Sequence, residues 1–287
     1  MSGLRLTDDE FELLRTFIKQ ECGIAVGDEK SYLIETRLGR MAVDADCDSF
    51  AEFHTKLKSD PRGKLRDKIV DAMTTNETSW FRDNGPWVIL SKVLLGEFCE
   101  ALQSGAAKKI RIWSAACSTG QEPYSMAISI LEYLRDEAPP GVKEESFEII
   151  ATDISSSALF MSMSGRYDRL SISRGLEEHL RDRYFEQSGK IWLLNDRVKK
   201  MVKFHKFNLM ESFDRFGKLD LVLCRNVLIY FSNELKKDIV TRIAGSLVDD
   251  GAFLVGASES LQGALAEFAM RQCEGNFYYR VKPRGPV

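Results

Sequence analysis

Residues 110–124 restrict the fold of this chain more than any other stretch. Residues 110–113 are a short run typical of a β-strand, and residues 114–120 carry mostly very small side chains. Pro123 then opens an amphipathic segment that continues through Leu134. This order predicts a strand, a tight turn and a helix. In an open α/β sheet, such a turn lies at the carboxyl edge of the strands, where small side chains let a nucleotide-like ligand approach the backbone.

Later segments predict further strands of the same sheet. Residues 147–152, 219–224 and 252–256 are apolar runs of strand length, separated by segments with helical spacing. A helix near residues 265–270 and a last strand over 276–281 complete the chain. Because strands alternate with helices, we predict an α/β fold with a mostly parallel, doubly wound sheet.

The stretch before residues 219–224 has a different pattern. After a predicted helix at residues 175–185, residues 190–194 and 198–207 alternate apolar with basic side chains, and the polar turn residues 187–189 and 195–196 precede them. We therefore expect a small antiparallel β insertion at about residues 184–207.

Helix-capping signals dominate the amino-terminal part. Residues 7 and 49 are a Thr and a Ser, each followed three residues later by Glu, which is the pattern of a capping box. A second helix is expected over residues 31–41, and Asp60-Pro61 is expected to begin a fourth. We predict three parts: an all-helical domain (1–73), an interdomain segment (74–86) and an α/β domain (87–287).

The composition narrows the class of protein. An apolar fraction of 44% with 29% charged residues is typical of a globular protein, and there is no run of about 18 apolar residues and no signal-peptide pattern. We expect a cytoplasmic protein that does not insert into a membrane. A net charge of −3 argues against nucleic-acid binding. The six cysteines lack a Cys-x-x-Cys pair and the three histidines are dispersed, so we predict no metal site. The absence of a heptad pattern favours a monomer.

Two features suggest function directly. Asp153 ends the second predicted strand, where a carboxylate can accept hydrogen bonds from ribose hydroxyls. Because the chain lacks a phosphate-binding glycine loop, a nucleoside is the expected ligand rather than a triphosphate. The helical domain also carries a group of basic residues that is either a solvated face or a docking surface for an acidic partner: Lys56, Lys58, Arg62, Lys64, Arg66 and Lys68.

Five motifs in order give a resemblance that covers nearly the whole chain. They are Thr74-Thr75-Asn76-Glu77-Thr78 with Phe81-Arg82; Trp113-Ser114-Ala115-Ala116 with Ser118-Thr119-Gly120 and Glu122-Pro123-Tyr124; Ala151-Thr152-Asp153-Ile154; Asn208-Leu209; and Cys224-Arg225-Asn226-Val227-Leu228-Ile229-Tyr230-Phe231. In these motifs the chain resembles the CheR-type chemotaxis receptor methyltransferases, which use S-adenosyl-L-methionine to methylate receptor glutamates. The resemblance implies a Rossmann-like methyltransferase sheet and a helical receptor-docking domain. It also implies protein-glutamate O-methyltransferase activity on the cytoplasmic domain of methyl-accepting chemotaxis receptors. The protein would be recruited to these receptors in membrane receptor arrays.

The resemblance also implies a set of residues that contact the cofactor and its product, S-adenosyl-L-homocysteine: Asn76, Thr78, Arg82, Ala115, Glu122, Asp153, Asn208, Leu209, Arg225 and Asn226. Glu122 suits the cofactor's amino group, and Leu209 suits packing against adenine. Because a glutamate carboxylate is already ionised at neutral pH, the enzyme must align it rather than deprotonate it. We expect the planar guanidinium of Arg82 to grip this carboxylate. Tyr230 is either a second donor or part of the pocket lining.

The β insertion bears on how the receptor is bound, and two other classes of function are alternatives to the methyltransferase. Some relatives grip a receptor tail through a longer glycine-rich turn, whereas the turn here is only Gln187-Ser188-Gly189-Lys190, so we expect independence from such a tether. A nucleic-acid N-methyltransferase would usually show Asn/Asp-Pro-Pro-Tyr where this chain has Arg225-Asn226-Val227-Leu228. An inactive CheR-like module that binds cofactor or protein is the remaining alternative.

Overall fold

The computed structural model describes residues 4–60, 63–137, 140–261 and 266–282. Its helices are α1 (Asp8–Cys22), α2 (Ser31–Asp44), α3 (Phe50–Lys58), α4 (Lys64–Met73), α5 (Asn84–Ile89), α6 (Leu95–Gln103), α7 (Gln121–Asp136), α8 (Ser156–Ser164), α9 (Arg169–Ser173), α10 (Glu178–Tyr184), α11 (Asp196–Lys200) and α12 (Asn233–Ser246). Its strands are β1 (Ile110–Ala115), β2 (Phe147–Asp153), β3 (Arg166–Asp168), β4 (Phe185–Ser188), β5 (Ile191–Leu194), β6 (Val202–Lys206), β7 (Leu219–Cys224), β8 (Leu247–Leu254), β9 (Phe268–Cys273) and β10 (Asn276–Val281).

Helices α1 to α4 pack around their own core, as the sequence predicts for an all-helical domain. The capping box of Thr7 and Glu10 is present at the start of α1, and Gly23 ends this helix in the left-handed conformation. The fourth helix begins at Lys64, later than predicted, because the Asp60 carboxylate accepts the N–H of Leu65 and Gly63 adopts a φ of 64°. Residue 61 of the predicted start lies outside the described residues.

The main sheet has the strand order β6-β2-β1-β7-β8-β10-β9 over the described residues. Strands β6, β2, β1, β7 and β8 run in parallel, and β10 is antiparallel to both of its neighbours. The order reverses between β1 and β7. The carboxyl ends of these two strands therefore form a topological switch point, the place where open α/β sheets bind ligands.

Strand β6 corrects one prediction. It pairs in parallel with β2 at the edge of the main sheet, so the prediction that residues 198–207 form a strand of the insertion is wrong. The insertion is an antiparallel sheet of order β3-β5-β4, and its third strand comes from β3, which the sequence did not indicate. The predicted turn at residues 195–196 instead caps α11, because the Asn195 side chain accepts the N–H of Val198.

The carboxyl-terminal part corrects a second prediction. Residues 268–270, predicted as helical, belong to strand β9, which pairs with β10 from Phe268↔Val281 to Cys273↔Asn276. The partner strand supplies the backbone hydrogen bonds that a helix would have made internally. Residue 265 of the predicted helix lies outside the described residues. No helix within the described ranges is long and apolar enough to span a bilayer.

Candidate active site

A cavity lies at the carboxyl edge of β1, β2 and β7, against the helical domain. It holds about 820 Å³ of space between atoms, a figure that includes solvent at its open side. Its walls come from the helical domain, the interdomain segment and the turns after these three strands: Cys22, Ile24, Met73, Thr74, Thr75, Asn76, Glu77, Thr78, Arg82, Ala116, Cys117, Ser118, Glu122, Asp153, Ile154, Arg225, Asn226, Val227, Tyr230 and Phe231.

The turn after β1 is held in an unusual backbone conformation. Ala116 and Ser118 have φ values of 59° and 51°, and Gly120 has 92°. Such left-handed conformations cost free energy in residues other than glycine and persist where neighbours hold them. The N–H of Ser118 donates to Asp153 Oδ2 at 2.7 Å, and its hydroxyl donates to the carbonyl of Asn76 at 2.9 Å. The turn is thereby fixed to both β2 and the interdomain segment.

Asp153 is a buried carboxylate at the end of β2. Its Oδ1 accepts the N–H of Ser155 at 2.8 Å, while Oδ2 accepts that of Ser118. Burial raises the pKa of Asp153, and the two N–H groups partly oppose this change. Each carboxylate oxygen can accept more than one hydrogen bond. Asp153 is therefore suited to bind hydroxyl groups of a ligand in the cavity.

Arg225 joins three parts of the site. Its side chain is 1% exposed, and Nη1 donates to Glu122 Oε2 at 2.9 Å. Nη2 donates to the carbonyl of Arg82 at 2.6 Å and to Asp83 Oδ2 at 3.1 Å. Ser114 Oγ donates to the other oxygen of Glu122 at 2.7 Å. The guanidinium thus connects the end of β7 with α7 and with the interdomain segment.

One donor of this network has no acceptor among the described residues. Arg225 Nε is buried and makes no hydrogen bond. A buried donor without a partner is costly, and an oxygen of a bound ligand would satisfy it. Together with the carboxylates of Asp153, which is buried, and Glu122, which is partly exposed, this donor gives the site mixed polarity.

The two residues expected to act on the substrate line the same cavity. Arg82 is half-buried, and its Nη1 donates to the carbonyl of Glu77 at 3.0 Å. Tyr230 ends a 3₁₀ turn, Leu228–Tyr230, and its carbonyl accepts the N–H of Ala25 at 2.9 Å. Both residues line the cavity, Arg82 from the interdomain segment and Tyr230 from the turn after β7.

Three predicted contact residues do not line the cavity. Ala115 is buried in β1, and Leu209 is buried in a core cluster with Trp113 and Phe207. Asn208 Nδ2 donates to the carbonyl of Glu21 at 2.8 Å. The cavity therefore gives no support for cofactor contacts from these side chains, which stay predictions. The other predicted site residues all line the cavity: Asn76, Thr78, Arg82, Glu122, Asp153, Arg225, Asn226 and Tyr230.

Sequence reasoning missed several residues that shape the site. Ser118 orients Asp153, and Asp83 pairs with Arg225. Glu259 accepts backbone N–H groups of the turn after β7. Its position just after a predicted strand was a usable signal, because carboxyl ends of parallel strands meet at one edge. Within the described ranges, no group of three or more His, Cys, Asp or Glu side chains could hold a metal ion.

The main sheet has the Rossmann-like α/β topology, and its match to a SAM-binding family model makes the chain an S-adenosylmethionine-dependent methyltransferase. Residues 76–277 match the family model described as CheR methyltransferase, SAM binding domain, and residues 9–74 match the CheR methyltransferase, all-alpha domain. The chain belongs to the CheR methyltransferase family, and the resemblance seen in the motifs is confirmed.

Curated relatives agree over nearly the whole chain. The chemotaxis protein methyltransferase Cher2 of Pseudomonas putida is 40% identical over 274 residues, which cover 95% of this chain and 98% of that protein. Chemotaxis protein methyltransferase 1 of Pseudomonas aeruginosa is 41% identical with the same coverage. Chemotaxis protein methyltransferase 1 of Vibrio cholerae is 41% identical over 98% of this chain and 100% of that protein.

Proposed function

We propose that this enzyme methylates glutamate side chains on the cytoplasmic helices of chemotaxis receptors, for sensory adaptation. The observation that carries the proposal is the placement of Arg82 and Tyr230 in one cavity with the acids Glu122 and Asp153. The names of the relatives, chemotaxis protein methyltransferases at 40–41% identity, support the same assignment.

In this proposal the acids hold the cofactor. Asp153 accepts hydrogen bonds from the ribose hydroxyls, and Glu122 pairs with the amino group of the amino-acid tail. Asn76, Thr78 and Asn226 supply neutral polar contacts from the two sides of the cavity. When bound, S-adenosylmethionine supplies the electrophilic methyl group, and S-adenosylhomocysteine remains as the product.

The residues of this chain need only bind and align the substrate carboxylate. A glutamate has a pKa of about 4.3 and is ionised at neutral pH, so no general base is required. Arg82 can offer parallel N–H donors to both carboxylate oxygens, which fixes their direction. Tyr230 offers a hydroxyl from the opposite side. Orientation of this kind accounts for a large share of the rate in reactions between two bound groups.

The helical domain docks the receptor in this proposal. Lysines on α3 and α4 are exposed and complement acidic receptor helices: Lys56, Lys58, Lys64 and Lys68. Arg66 is partly used within the domain, because it donates to the carbonyl of Leu57 and pairs with Glu21 at 3.7 Å. Arg62 lies outside the described residues. Methylation removes one negative charge per glutamate and reduces repulsion between packed acidic helices.

We also propose a division into a docking domain (1–73), an interdomain segment (74–86) that contributes to the site, and a catalytic domain (87–287). The protein acts as a monomer that is recruited to membrane receptor arrays through the docking domain. It does so without a receptor-tail tether, because residues 189–190 alone join β4 to β5. Tight binding of a receptor-tail peptide in a calorimetric titration would contradict this independence.

The activity is tested by transfer of tritiated methyl groups from S-adenosylmethionine to receptor cytoplasmic fragments. We expect label that mild base releases as methanol, and we expect Arg82→Ala to abolish it while S-adenosylhomocysteine still binds. Label that resists base would contradict carboxylate methylation. If the wild-type protein binds cofactor but labels no receptor fragment, the alternative of a non-catalytic module is favoured. The complete set of cavity residues argues against that alternative.

A further inference from the structure

A single carboxylate ties together two loops at the edge of the main sheet. Glu259 lies in the connection after β8, and its Oε2 accepts the N–H of Asn226 at 2.6 Å and that of Gly256 at 2.9 Å. Its Oε1 accepts the N–H of Ile229 at 3.3 Å. Glu259 does not line the cavity, but Asn226 and Tyr230 do.

The loop that Glu259 holds needs support from outside, because its backbone is strained at Asn226 and the N–H groups of Asn226 and Ile229 donate to Glu259. Asn226 has a φ of 58°, in the left-handed region that disfavours most side chains. Ile229 is in the first turn of the 3₁₀ segment Leu228–Tyr230, where N–H groups have no partner within the turn. An ionised carboxylate that accepts such N–H groups forms stronger hydrogen bonds than a neutral acceptor.

The close packing at Gly256 is an independent sign that this contact is built into the site. A Cβ atom placed on Gly256 would lie 2.7 Å from Asn226 Nδ2, 2.8 Å from Glu259 Oε2 and 2.9 Å from Asn226 N. Such distances are too short for any larger residue without movement of the loop. The two loops therefore approach to the limit that glycine allows.

We infer that Glu259 is a positioning residue for the methyl transfer, which acts through the loop 226–230 to hold Asn226 against the cofactor and Tyr230 against the substrate. The role of Tyr230 toward the substrate rests on the proposed function, whereas the role of Asn226 toward the cofactor does not. A shift of the loop by about 1 Å would misplace both side chains, and misplacements of that size cost on the order of 100-fold in rate.

The test compares Glu259→Ala and Glu259→Gln with a control acid outside the site. Glu148 is 15% exposed, accepts Arg111 Nε at 2.9 Å, and lies beside Arg111 near the other end of β1. Glu148→Ala therefore removes a well-paired acid without touching the cavity. We expect Glu259→Ala to lower kcat by about 10- to 100-fold, and Glu148→Ala to leave kcat within about twofold. Glu259→Gln keeps an acceptor oxygen and should lie between Glu259→Ala and wild type.

Two readouts separate positioning from general destabilisation. The first readout is S-adenosylhomocysteine affinity, measured by calorimetry at a temperature where thermal unfolding shows every variant to be folded. This affinity should fall for Glu259→Ala but not for Glu148→Ala. Tyr230→Phe should add little to the loss in kcat of Glu259→Ala, because the hydroxyl it removes is already misplaced. If Glu259→Ala does not fold, Gly256→Ala separates the same loops and replaces it.

A folded Glu259→Ala or Gly256→Ala with the kcat and S-adenosylhomocysteine affinity of Glu148→Ala would overturn the inference. The inference would also be overturned if the double variant Glu259→Ala/Tyr230→Phe lost kcat by the full product of the two single losses. Failure of the proposed function looks different, because the wild type would then label no receptor glutamates while the affinity comparison still decides the role of Glu259.

Discussion

Replacement of Arg225 by methionine tests the network that joins the interdomain segment to the methyltransferase sheet. The Arg225 side chain is 1% exposed and Glu122 is 12% exposed, so the variant leaves a buried carboxylate without its cation. Removal of one partner of a buried pair costs about 3–5 kcal/mol. Asp83 is 33% exposed and adds at most about 1 kcal/mol. Because methionine regains apolar contacts, we expect a net loss of about 4 kcal/mol in the free energy of unfolding.

The double variant Arg225→Met/Glu122→Gln reveals whether the buried charge is the cause. Glutamine keeps the hydrogen bond from Ser114 Oγ, which is 2.7 Å long in the wild type, but removes the charge. We therefore expect the second substitution to restore about 2 kcal/mol of the loss, since a neutral group has a smaller desolvation cost. Urea unfolding followed by circular dichroism at pH 7 gives the four free energies of this cycle.

Arg111→Met is the matched control. Arg111 pairs with Glu148 at 2.9 Å, but it is 31% exposed, and Lys203 remains as a second cation for the same carboxylate. The expected loss is smaller, about 1–2 kcal/mol. The reasoning is refuted if Arg225→Met loses no more stability than Arg111→Met, or if Glu122→Gln fails to restore any of the loss.

Three further predictions concern acid stability, cofactor binding and catalysis. Hydrogen bonds from Lys203 and Arg111 lower the pKa of Glu148 to about 2, from an ordinary value of 4.5. Because solvent screens these partly exposed partners, the expected contribution to the free energy of unfolding is about 1–2 kcal/mol, present above pH 4.5 and lost as the pH falls towards 2. The stability difference between wild type and Glu148→Gln in urea should therefore be large at pH 7 and small at pH 2; a constant difference would contradict this. Asp153→Asn should weaken S-adenosylhomocysteine binding by about 10- to 100-fold in calorimetry, and an unchanged affinity would contradict the role of Asp153. The same titration with Asn208→Ala decides the contact that the motif implies for Asn208: a loss of less than about threefold would leave only its contact with the helical domain. Arg82→Lys keeps the charge but loses the planar pair of donors, so kcat should fall by about 10-fold or more in the tritium assay, and by more than cofactor affinity falls. Full activity would exclude a role for Arg82 in gripping the substrate carboxylate.

Local signals in the sequence predicted local structure well. The capping box at Thr7, the N-cap at Ser49 and the strand from Leu219 to Cys224 are present where the sequence indicates them. Each of these depends on residues a few positions apart, because a cap satisfies N–H groups of its own first turn and a buried parallel strand is a short apolar run.

Long-range pairing explains the errors. Residues 202–206 alternate in the way that a strand of either sheet would, and only the pairing of Val202 with Ile149 decides between them. Strand β9 depends in the same way on β10. The role of Arg225 was also hidden. The motif identifies this residue as part of the site, but its partners Glu122 and Asp83 are more than a hundred positions away along the chain.

The helical domain lines the cavity and is also the proposed docking surface, so the two are coupled if the proposal holds. Ile24 forms a β-bridge with Phe231, and the N–H of Ala25 donates to the carbonyl of Tyr230 at 2.9 Å. Asp71 on α4 accepts the hydroxyl of Ser155, beside Asp153, at 2.7 Å. A receptor that shifts α1 or α4 on docking must therefore disturb contacts at both ends of the cavity. Thermodynamic linkage then requires that cofactor binding change receptor affinity by the same factor as receptor binding changes cofactor affinity. A methyltransferase sheet without this domain would lack one wall of its cavity and also this route of coupling.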